Sequence, residues 1–358
     1  MRHSCPGAGP GWIQSEEQAG SAAAGRRPKA GGGRETRVGG AAIHVSVGVL
    51  TYRRPCELAS LLPALVEQAH AVMGSGEYTV DIIVVDNDAD ASAASTVIPV
   101  ADVHPLVRYV VEPTPGIAAA RNRALDEASG SRLLAFVDDD ERPDTDWLAR
   151  LLDTCSATGA AAVAGRVLEE FATPPDPWFV AGEFFRRPRL PTGTPIGTAA
   201  AGNLLLDLDQ VRAAGVRFDP TFALGGGEDN LFCRELTRAG FRIVWCDEAR
   251  VFDRIPPART TRRWVLARAY SDGHISALVD LRLADRPRVR SVVRARAVTK
   301  GLVRVPAGLA RYAVGLATGS ARLQARGLRT LCRGAGMLAA ATGRTHEHYR
   351  RNEPDCRS

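Results

Sequence analysis

Residues 133–141 read LLAFVDDDE, in which five apolar residues run directly into four acidic ones. A short apolar run that ends in polar residues is typical of a strand buried on both faces of a sheet. Carboxylates gathered at the end of one strand repel each other unless a cation lies between them, and Mg²⁺ and Mn²⁺ prefer such oxygen ligands. The stretch therefore predicts either a divalent metal site or a solvated acidic loop before the next helix.

The segments on its N-terminal side predict the rest of a sheet. Apolar runs at 45–50, 80–85 and 107–111 read as strands, apolar residues recur at helical spacing across 58–69, and Gly116 opens a second helix. Strands that alternate with helices predict an α/β fold, with a mixed, mostly parallel sheet flanked by helices in the Rossmann-like manner. Ligands bind at the carboxyl ends of such strands, which is where the polar clusters at 51–54, 86–88 and 138–141 fall.

Composition excludes several classes of protein. The chain has 358 residues, of which 45% are hydrophobic and 24% charged, and this excludes a wholly disordered or fibrous protein. We find no apolar run long enough for a clear transmembrane helix. Neither Lys29 nor Lys300 follows a Gly-x-x-x-x-Gly motif, which excludes a Walker-type nucleotide site. Seven dispersed cysteines without a Cys-x-x-Cys pair predict reduced thiols and a cytoplasmic location.

Three parts are predicted along the chain. Residues 1–42 are rich in Gly, Ala, Ser and Arg and are expected to be disordered, whereas 43–275 form the α/β domain. Residues 276–358 form a basic helical extension; from Arg282 onward there are 17 Lys and Arg against 4 Asp and Glu. Its basic amphipathic helices predict either a peripheral contact with an anionic membrane surface or packing on the domain with a solvated arginine face.

Five segments occur in an order that carries a family resemblance. They are 47–54 (VGVLTYRR), 83–87 (IVVDN), 116–122 (GIAAARN), 136–141 (FVDDDE) and 226–236 (GGEDNLFCREL). Together they resemble a family 2 glycosyltransferase of the GT-A fold over roughly residues 45–273. The Asp-Asp-Asp-Glu variant followed by Trp147-Leu148 is most similar to the bacterial type that serves succinoglycan and other exopolysaccharide synthesis.

The resemblance implies a donor site and a metal site. Thr51, Tyr52 and Arg53 would line the nucleotide end, and Asp86 would accept a hydrogen bond from the base or the ribose. Arg121 would face the donor phosphates, a role that suits a guanidinium near a helix N-terminus. The resemblance makes Asp140 the main metal ligand and puts Asp138 on the ribose or the metal. Asp139, between them in the sequence, would bind the donor. Asp253 stands where many relatives carry a histidine, and it is a further candidate ligand.

The same resemblance implies an acceptor site. Asp229 matches the general base that deprotonates the acceptor hydroxyl, and Glu228 is the alternative base; a helix-capping role for these acids is compatible with either. Gly202 and Asn203 match an acceptor-side segment, and Arg263-Trp264 match an Arg-Trp element. The full Gln-x-x-Arg-Trp motif of processive synthases is absent, which predicts single additions.

The expected function is thus an inverting, metal-assisted transfer from a nucleoside-diphosphate sugar to a saccharide or lipid-linked acceptor. The expected cofactor is Mn²⁺ or Mg²⁺, and no nucleic acid partner is expected. The enzyme would be cytoplasmic, with a peripheral position on the inner face of the membrane as a further expectation. Two alternatives remain at this point: a nucleotidyltransferase, and a non-enzymatic adaptor for membrane or nucleic acid with a degenerate GT-A domain.

Overall fold

The computed structural model describes residues 13–14, 41–185, 187, 189–222 and 226–343. Apart from 13–14 and 41–42, the tail predicted to be disordered lies outside these residues. The domain boundaries at 42 and 275 stay predictions, and a helix runs through residue 275.

One sheet of ten strands organises the domain, and its main order is β4-β3-β2-β5-β9-β7-β10-β6. The strands β2, β3, β4 and β5 pair in parallel, as do β7 and β10, whereas β6, β8 and β9 pair antiparallel to their neighbours. The mixed, mostly parallel sheet is therefore confirmed. The strands are β1 (Ile13–Gln14), β2 (Ile43–Thr51), β3 (Tyr78–Asp86), β4 (Val107–Val111), β5 (Leu133–Asp138), β6 (Glu141–Pro143), β7 (Ala162–Phe171), β8 (Pro195–Ile196), β9 (Asn203–Asp207) and β10 (Ile243–Ile255).

Ten α-helices accompany the sheet in the described part of the chain. They are α1 (Pro55–Met73), α2 (Ala94–Val103), α3 (Ile117–Glu127), α4 (Trp147–Thr158), α5 (Pro177–Gly182), α6 (Leu208–Ala214), α7 (Glu228–Arg238), α8 (Arg262–Arg282), α9 (Pro287–Ala317) and α10 (Ala321–Ala341).

The sheet is covered on both faces because its central strands carry apolar residues on both sides. On β3, Ile82 and Val84 belong to the core beneath α1, α2 and α4. Their neighbours Ile83 and Val85 belong to a second core beneath α3, α6 and α7. Alternate residues of a strand point to opposite faces, so a continuous apolar run needs helices on both sides.

Glycines allow the C-terminal helices to pack closely. A Cβ atom at Gly308 of α9 would lie 2.5 Å from the amide nitrogen of Leu331 on α10, and one at Gly327 would lie 2.6 Å from that of Tyr312. On the other side of α10, a Cβ at Gly336 would lie 2.0 Å from the carbonyl oxygen of Tyr270 on α8. The predicted helical extension is thus an α9–α10 hairpin fixed to the domain through α8.

Two observations concern the cysteines and the membrane. Cys155, Cys233, Cys246 and Cys332 are free thiols, but Cys56 is disulfide-bonded. The prediction of reduced thiols is therefore wrong at Cys56, because spacing along the chain does not show which distant cysteines meet. Among the described residues, no helix is both long enough and apolar enough to cross a bilayer.

Candidate active site

Three neighbouring strands end side by side and bring the predicted donor-side residues together. Thr51 of β2 pairs in register with Asp86 of β3, and Leu50 of β2 pairs with Asp138 of β5. The carboxyl ends of these strands therefore form one edge of the sheet. Open α/β sheets bind ligands at such an edge.

Asp138 ends β5 in a confined position. A Cβ atom at residue 202 would lie 2.5 Å from the Asp138 Oδ2 atom, so only glycine fits there without a shift. Burial raises the pKa of Asp138 to about 6, and the nearby Asp140 and Asp253 add to the rise while Arg121 opposes it. Asp138 and Gly202, predicted on the donor and acceptor sides, are thus direct neighbours.

Asp139 points toward the start of α1. Its carboxylate accepts hydrogen bonds from Thr51 Oγ1 at 2.8 Å and from Arg54 at 2.9 Å. Burial raises the pKa of Asp139 to about 7, although Arg54 opposes this shift. Thr51 and Asp139, both predicted to bind the donor, therefore bind each other across the strand ends.

Asp140 is paired with arginines. Arg54 lies 2.9 Å and Arg259 lies 3.3 Å from its carboxylate, and Arg259 also lies 3.9 Å from Asp253. Burial raises the pKa of Asp253, and Asp140 adds to the rise. Glu141 and Asp253 are opposite each other on β6 and β10, so this acidic cluster links the end of β5 to the β10–β6 edge of the sheet.

The cluster has the donor chemistry of a divalent cation site, but its ligands are not assembled. No group of three acidic, histidine or cysteine side chains in the described ranges is arranged to hold a metal. Glu141 is buried, and its Oε2 atom lacks a hydrogen-bond partner in the described part of the chain. Burial and the neighbouring Asp138 and Asp253 raise the pKa of Glu141. Closely spaced oxygen donors of this kind suit Mg²⁺ or Mn²⁺, so the residues fit the predicted metal.

The predicted nucleotide end is largely occupied by contacts within the protein. Asp86 accepts hydrogen bonds from the backbone amides of Asp88 and Ala93 and from the Tyr109 hydroxyl. Arg53 donates to Asp88 at 2.8 Å and lies over the ring of Tyr52. Asp86 therefore organises the loop after β3.

Arg121 pairs with Glu228 in the interior. Its guanidinium donates to the Glu228 carboxylate, and it stacks on the ring of Phe218 at 5.5 Å. Burial raises the pKa of Glu228, and the contact with Arg121 opposes this rise. This pairing ties α3 to the start of α7, and the predicted contact of Arg121 with donor phosphates stays a prediction.

Asp229 stands next to Glu228 but in a different environment. Its side chain is half-buried, and its Oδ1 atom accepts a hydrogen bond from the Asn230 amide at 2.6 Å. The backbone enters this helix through Gly227 at φ +99, a left-handed conformation that favours glycine. Asp229 therefore has a fixed backbone and an accessible carboxylate, and the helix N-terminus favours its negative charge.

Asn203 has a structural position. Its side-chain oxygen accepts a hydrogen bond from the Trp147 indole at 2.8 Å, and its amide donates to the carbonyls of Arg166 and Ala249. The residue is buried, with 1% of its surface exposed. The side-chain amide of Asn203 therefore makes all of these hydrogen bonds within the protein.

Arg263 and Trp264 begin α8. Arg263 is exposed, and Trp264 stacks on Phe185 with 5.7 Å between ring centroids. The aromatic side chains of the preceding loop form a buried cluster with this tryptophan, which makes them part of the core at this end of the domain. The members of the cluster are Phe171, Trp178, Phe179, Phe184, Phe185 and Trp264.

Sequence reasoning missed three charged residues of the acidic cluster. Arg54 belongs to the first family segment, but the resemblance assigns a donor role only to its neighbour Arg53. Arg259 lies in a short 3-10 helix (Pro257–Thr260) outside the family segments, and its contact with Asp140 spans 119 residues of sequence. Glu141 ends the acidic run of residues 138–141, and the resemblance implies no role for it. These side chains line a cavity of about 290 Å³ together with Asp139, Asp140 and Arg142.

The comparisons with known proteins agree with the predicted resemblance. A family model described as Glycosyl transferase family 2 matches residues 46–205. The succinoglycan biosynthesis protein ExoM of Rhizobium meliloti (strain 1021) is 37% identical over 233 residues, which cover 64% of this chain and 73% of that protein. These matches give no support to the nucleotidyltransferase and adaptor alternatives.

Solved structures give the fold. The mannosyltransferase PcManGT from Pyrobaculum calidifontis, in complex with GDP-Man and Mn²⁺, has a TM-score of 0.52 at 18% identity, covering 84% of this chain and 86% of that one. S. aureus TarS 1–349 in complex with UDP has a TM-score of 0.46 at 15% identity, covering 87% of this chain and 98% of that one. The mannosyltransferase supports the predicted GT-A fold.

Proposed function

Since the chain belongs to glycosyltransferase family 2, we propose that it is an inverting enzyme that moves a sugar from a nucleoside diphosphate to an acceptor hydroxyl. One observation carries this proposal. The Arg121 guanidinium, which pairs with Glu228, also lies within electrostatic reach of Asp138 and Asp229. The strand-end carboxylate and the candidate base therefore both lie near one guanidinium, and a transfer between two substrates needs its groups held close together.

Asp229 is the proposed base. It takes the proton of the acceptor hydroxyl while that oxygen attacks the anomeric carbon from the face opposite the diphosphate. The bond from the anomeric carbon to the diphosphate oxygen breaks, and the diphosphate leaves with the bonding electrons. Glu228 is the weaker candidate, because its carboxylate is buried and paired with Arg121.

The donor side is proposed to comprise Thr51, Tyr52, Arg53, Asp86, Arg121, Asp138 and Asp139. Asp140, with Asp138 and Asp253, would hold a divalent cation, which supplies positive charge against the diphosphate when bound. The nearby Arg54 and Arg259 offset the negative charge of Asp140. Fixed charges of this kind stabilise developing charge better than water does.

The acceptor side is proposed to include Gly202, Asn203, Arg263 and Trp264, with Asn203 acting through the backbone that it holds. We further propose a saccharide acceptor, free or lipid-linked, in the assembly of an exopolysaccharide. The name of the 37% identical relative supports this substrate class. We place the enzyme in the cytoplasm, peripheral to the inner face of the membrane.

A thermal-shift screen of the full chain with UDP, GDP, ADP and dTDP, each with and without Mn²⁺, tests the proposal. A ligand that binds only the folded state stabilises it by about 2.7 kcal/mol at 100 times its dissociation constant. We expect one nucleotide to raise the melting temperature, and to do so more strongly with Mn²⁺. The sugar donors of that nucleotide are then assayed for diphosphate release. No shift with any nucleotide would contradict the proposed donor site.

A further inference from the structure

The helix α9 has one side buried and the opposite side exposed. Its buried positions are Ala297, Gly301, Gly308 and Gly315, and the glycines are the residues that meet α10. Seven large aliphatic side chains elsewhere on the helix are 46% to 62% exposed. They are Val289, Val292, Leu302, Val303, Leu309, Val314 and Leu316.

We call the surface formed by these seven side chains the α9 outer face. Leu302, Leu309 and Leu316 recur every seven residues, and the period of the helix places them in one row. Val303 and Val314 lie about a third of a turn further round the helix, also away from the glycines. An apolar stripe this wide on a helix is ordinarily buried against something.

The charge of the two C-terminal helices indicates which partner covers this stripe. Between residues 287 and 341 there are eleven Arg and Lys residues and no Asp or Glu. Among the basic residues of α9, Lys300 and Arg311 are exposed. The period of the helix places them next to Val303 and Val314, on the side opposite to the leucine row. The combination of exposed aliphatic residues with flanking cations suits an anionic lipid surface.

Charge and composition argue against two other occupants. A second copy of this chain would present the same positive face, so the two would repel. Single-stranded nucleic acid is bound by aromatic side chains on which bases stack. Tyr312 is the only aromatic residue between 287 and 341.

A cavity beside this face has the same chemistry. It measures about 320 Å³ and lies between α7, α8 and α9. Arg296 and Lys300 line it together with Val289, Val293 and Met337, as do Asp280 and its ion-pair partner Arg234. A wall that combines cations with aliphatic groups suits a phosphate attached to a hydrocarbon chain, as in a phospholipid.

We propose that the α9 outer face lies on the surface of an anionic phospholipid bilayer, with its seven aliphatic side chains in the headgroup boundary and the flanking cations against lipid phosphates. This inference rests on the peripheral membrane location proposed above and goes beyond it by naming the surface. It does not depend on which residue is the catalytic base.

Flotation of the full chain with vesicles tests the inference. We expect binding to vesicles of phosphatidylcholine mixed equally with phosphatidylglycerol, and little binding to phosphatidylcholine alone. The triple variant Leu302→Ser/Leu309→Ser/Leu316→Ser and the triple variant Arg296→Gln/Lys300→Gln/Arg311→Gln should each weaken binding by about tenfold or more. All six side chains are exposed, so the variants should keep the melting temperature of the parent chain.

The matched control is Ile98→Ser/Val103→Ser on α2, where two aliphatic side chains are 48% and 70% exposed but α2 has no basic residue. This control should bind like the parent. Equal binding to neutral vesicles, or unchanged binding by both triple variants, would overturn the inference. A dimer in light scattering that the leucine variant disperses would also overturn it, since a second copy would then cover the face.

The chemistry is tested separately in the same assay. Asp229→Asn should bind vesicles like the parent, whereas the two triple variants should retain diphosphate release from the donor. A failure of the membrane inference is therefore distinguishable from a failure of the proposed base.

Discussion

Arg121 on α3 donates a hydrogen bond to Glu228 at the first position of α7, and both side chains are buried. The next residue, Asp229, is also acidic, but its side chain is half-buried. Two adjacent acids thus have different environments, and such a difference commonly separates a structural acid from a reactive one. We expect mutations to separate their roles.

Glu228→Gln should mainly affect stability. The substitution leaves the Arg121 charge buried without a carboxylate, and breaking a buried pair in this way costs about 3–5 kcal/mol. Urea unfolding measures the loss. The double variant Arg121→Met/Glu228→Met should recover much of the stability, and no recovery would mean that the pair is not the cause.

Asp229→Asn should mainly affect turnover. Removing a general base costs about 10²–10⁴-fold in rate, while the nucleotide-induced thermal shift should stay near that of the parent chain. Diphosphate release in the presence of acceptor measures the rate. If the variant keeps most of its turnover, Asp229 is not the base.

Gly202→Ala should displace Asp138. The new Cβ would lie 2.5 Å from the Asp138 carboxylate, and both lie at the rim of the proposed metal site. We expect the Mn²⁺-dependent part of the nucleotide thermal shift to shrink. Gly197→Ala is the matched control, because no atom lies within 4 Å of a Cβ at that position. An equal effect of both variants would contradict a specific role for Gly202.

The acidic cluster should make the metal-free protein less stable as pH rises. The pKa of Asp138 is about 6 and that of Asp139 about 7, against about 3.9 in an unfolded chain. The folded state therefore holds protons that the unfolded state releases, so stability falls as pH rises from about 4 to about 7. Melting temperatures in a chelator between about pH 5 and pH 8 measure this trend.

Mn²⁺ should reverse part of that trend, because metal ligands bind in their deprotonated form. The rise in melting temperature on adding Mn²⁺ should be larger at the alkaline end of the range. A rise that does not vary with pH would argue against these carboxylates as ligands.

Asn203→Ala should lower stability and should raise the acceptor KM only together with that loss, because Asn203 is proposed to act through the backbone that it holds. The substitution removes the acceptor of the buried Trp147 indole and the donor to two carbonyls, and each unsatisfied group costs about 1–3 kcal/mol. Thermal melting and the acceptor KM are the two measurements. A raised KM with unchanged stability would instead make Asn203 a direct acceptor ligand.

The parts of the fold that sequence predicts are those held by local pattern. The runs ending at Thr51, Asp86 and Asp138 are mostly apolar segments, and each is a strand in the parallel part of the sheet. The antiparallel strand β6 was missed, since its three residues Glu141–Pro143 are polar or proline and pair with β10 far along the chain.

The candidate site shows the same division. Family segments pointed to the acids, but the partners of those acids come from tertiary contacts. Arg53 and Arg54 are adjacent in the sequence, and only the fold shows that Arg54 is the arginine that contacts Asp139 and Asp140. Asn203 matched an acceptor segment, although its amide is used within the core.

The close packing of helices has a consequence for the substrate. A Cβ at Gly227 would lie 2.3 Å from Ile275 of α8, so the turn that carries Asp229 is seated directly on the helix that holds α10 and, through it, α9. With the α9 outer face on a bilayer, Asp229 stands at a fixed height above the lipid, set by three stacked helices. For the proposed lipid-linked acceptor, this height would select glycans whose terminal hydroxyl lies at the same distance from the bilayer as Asp229.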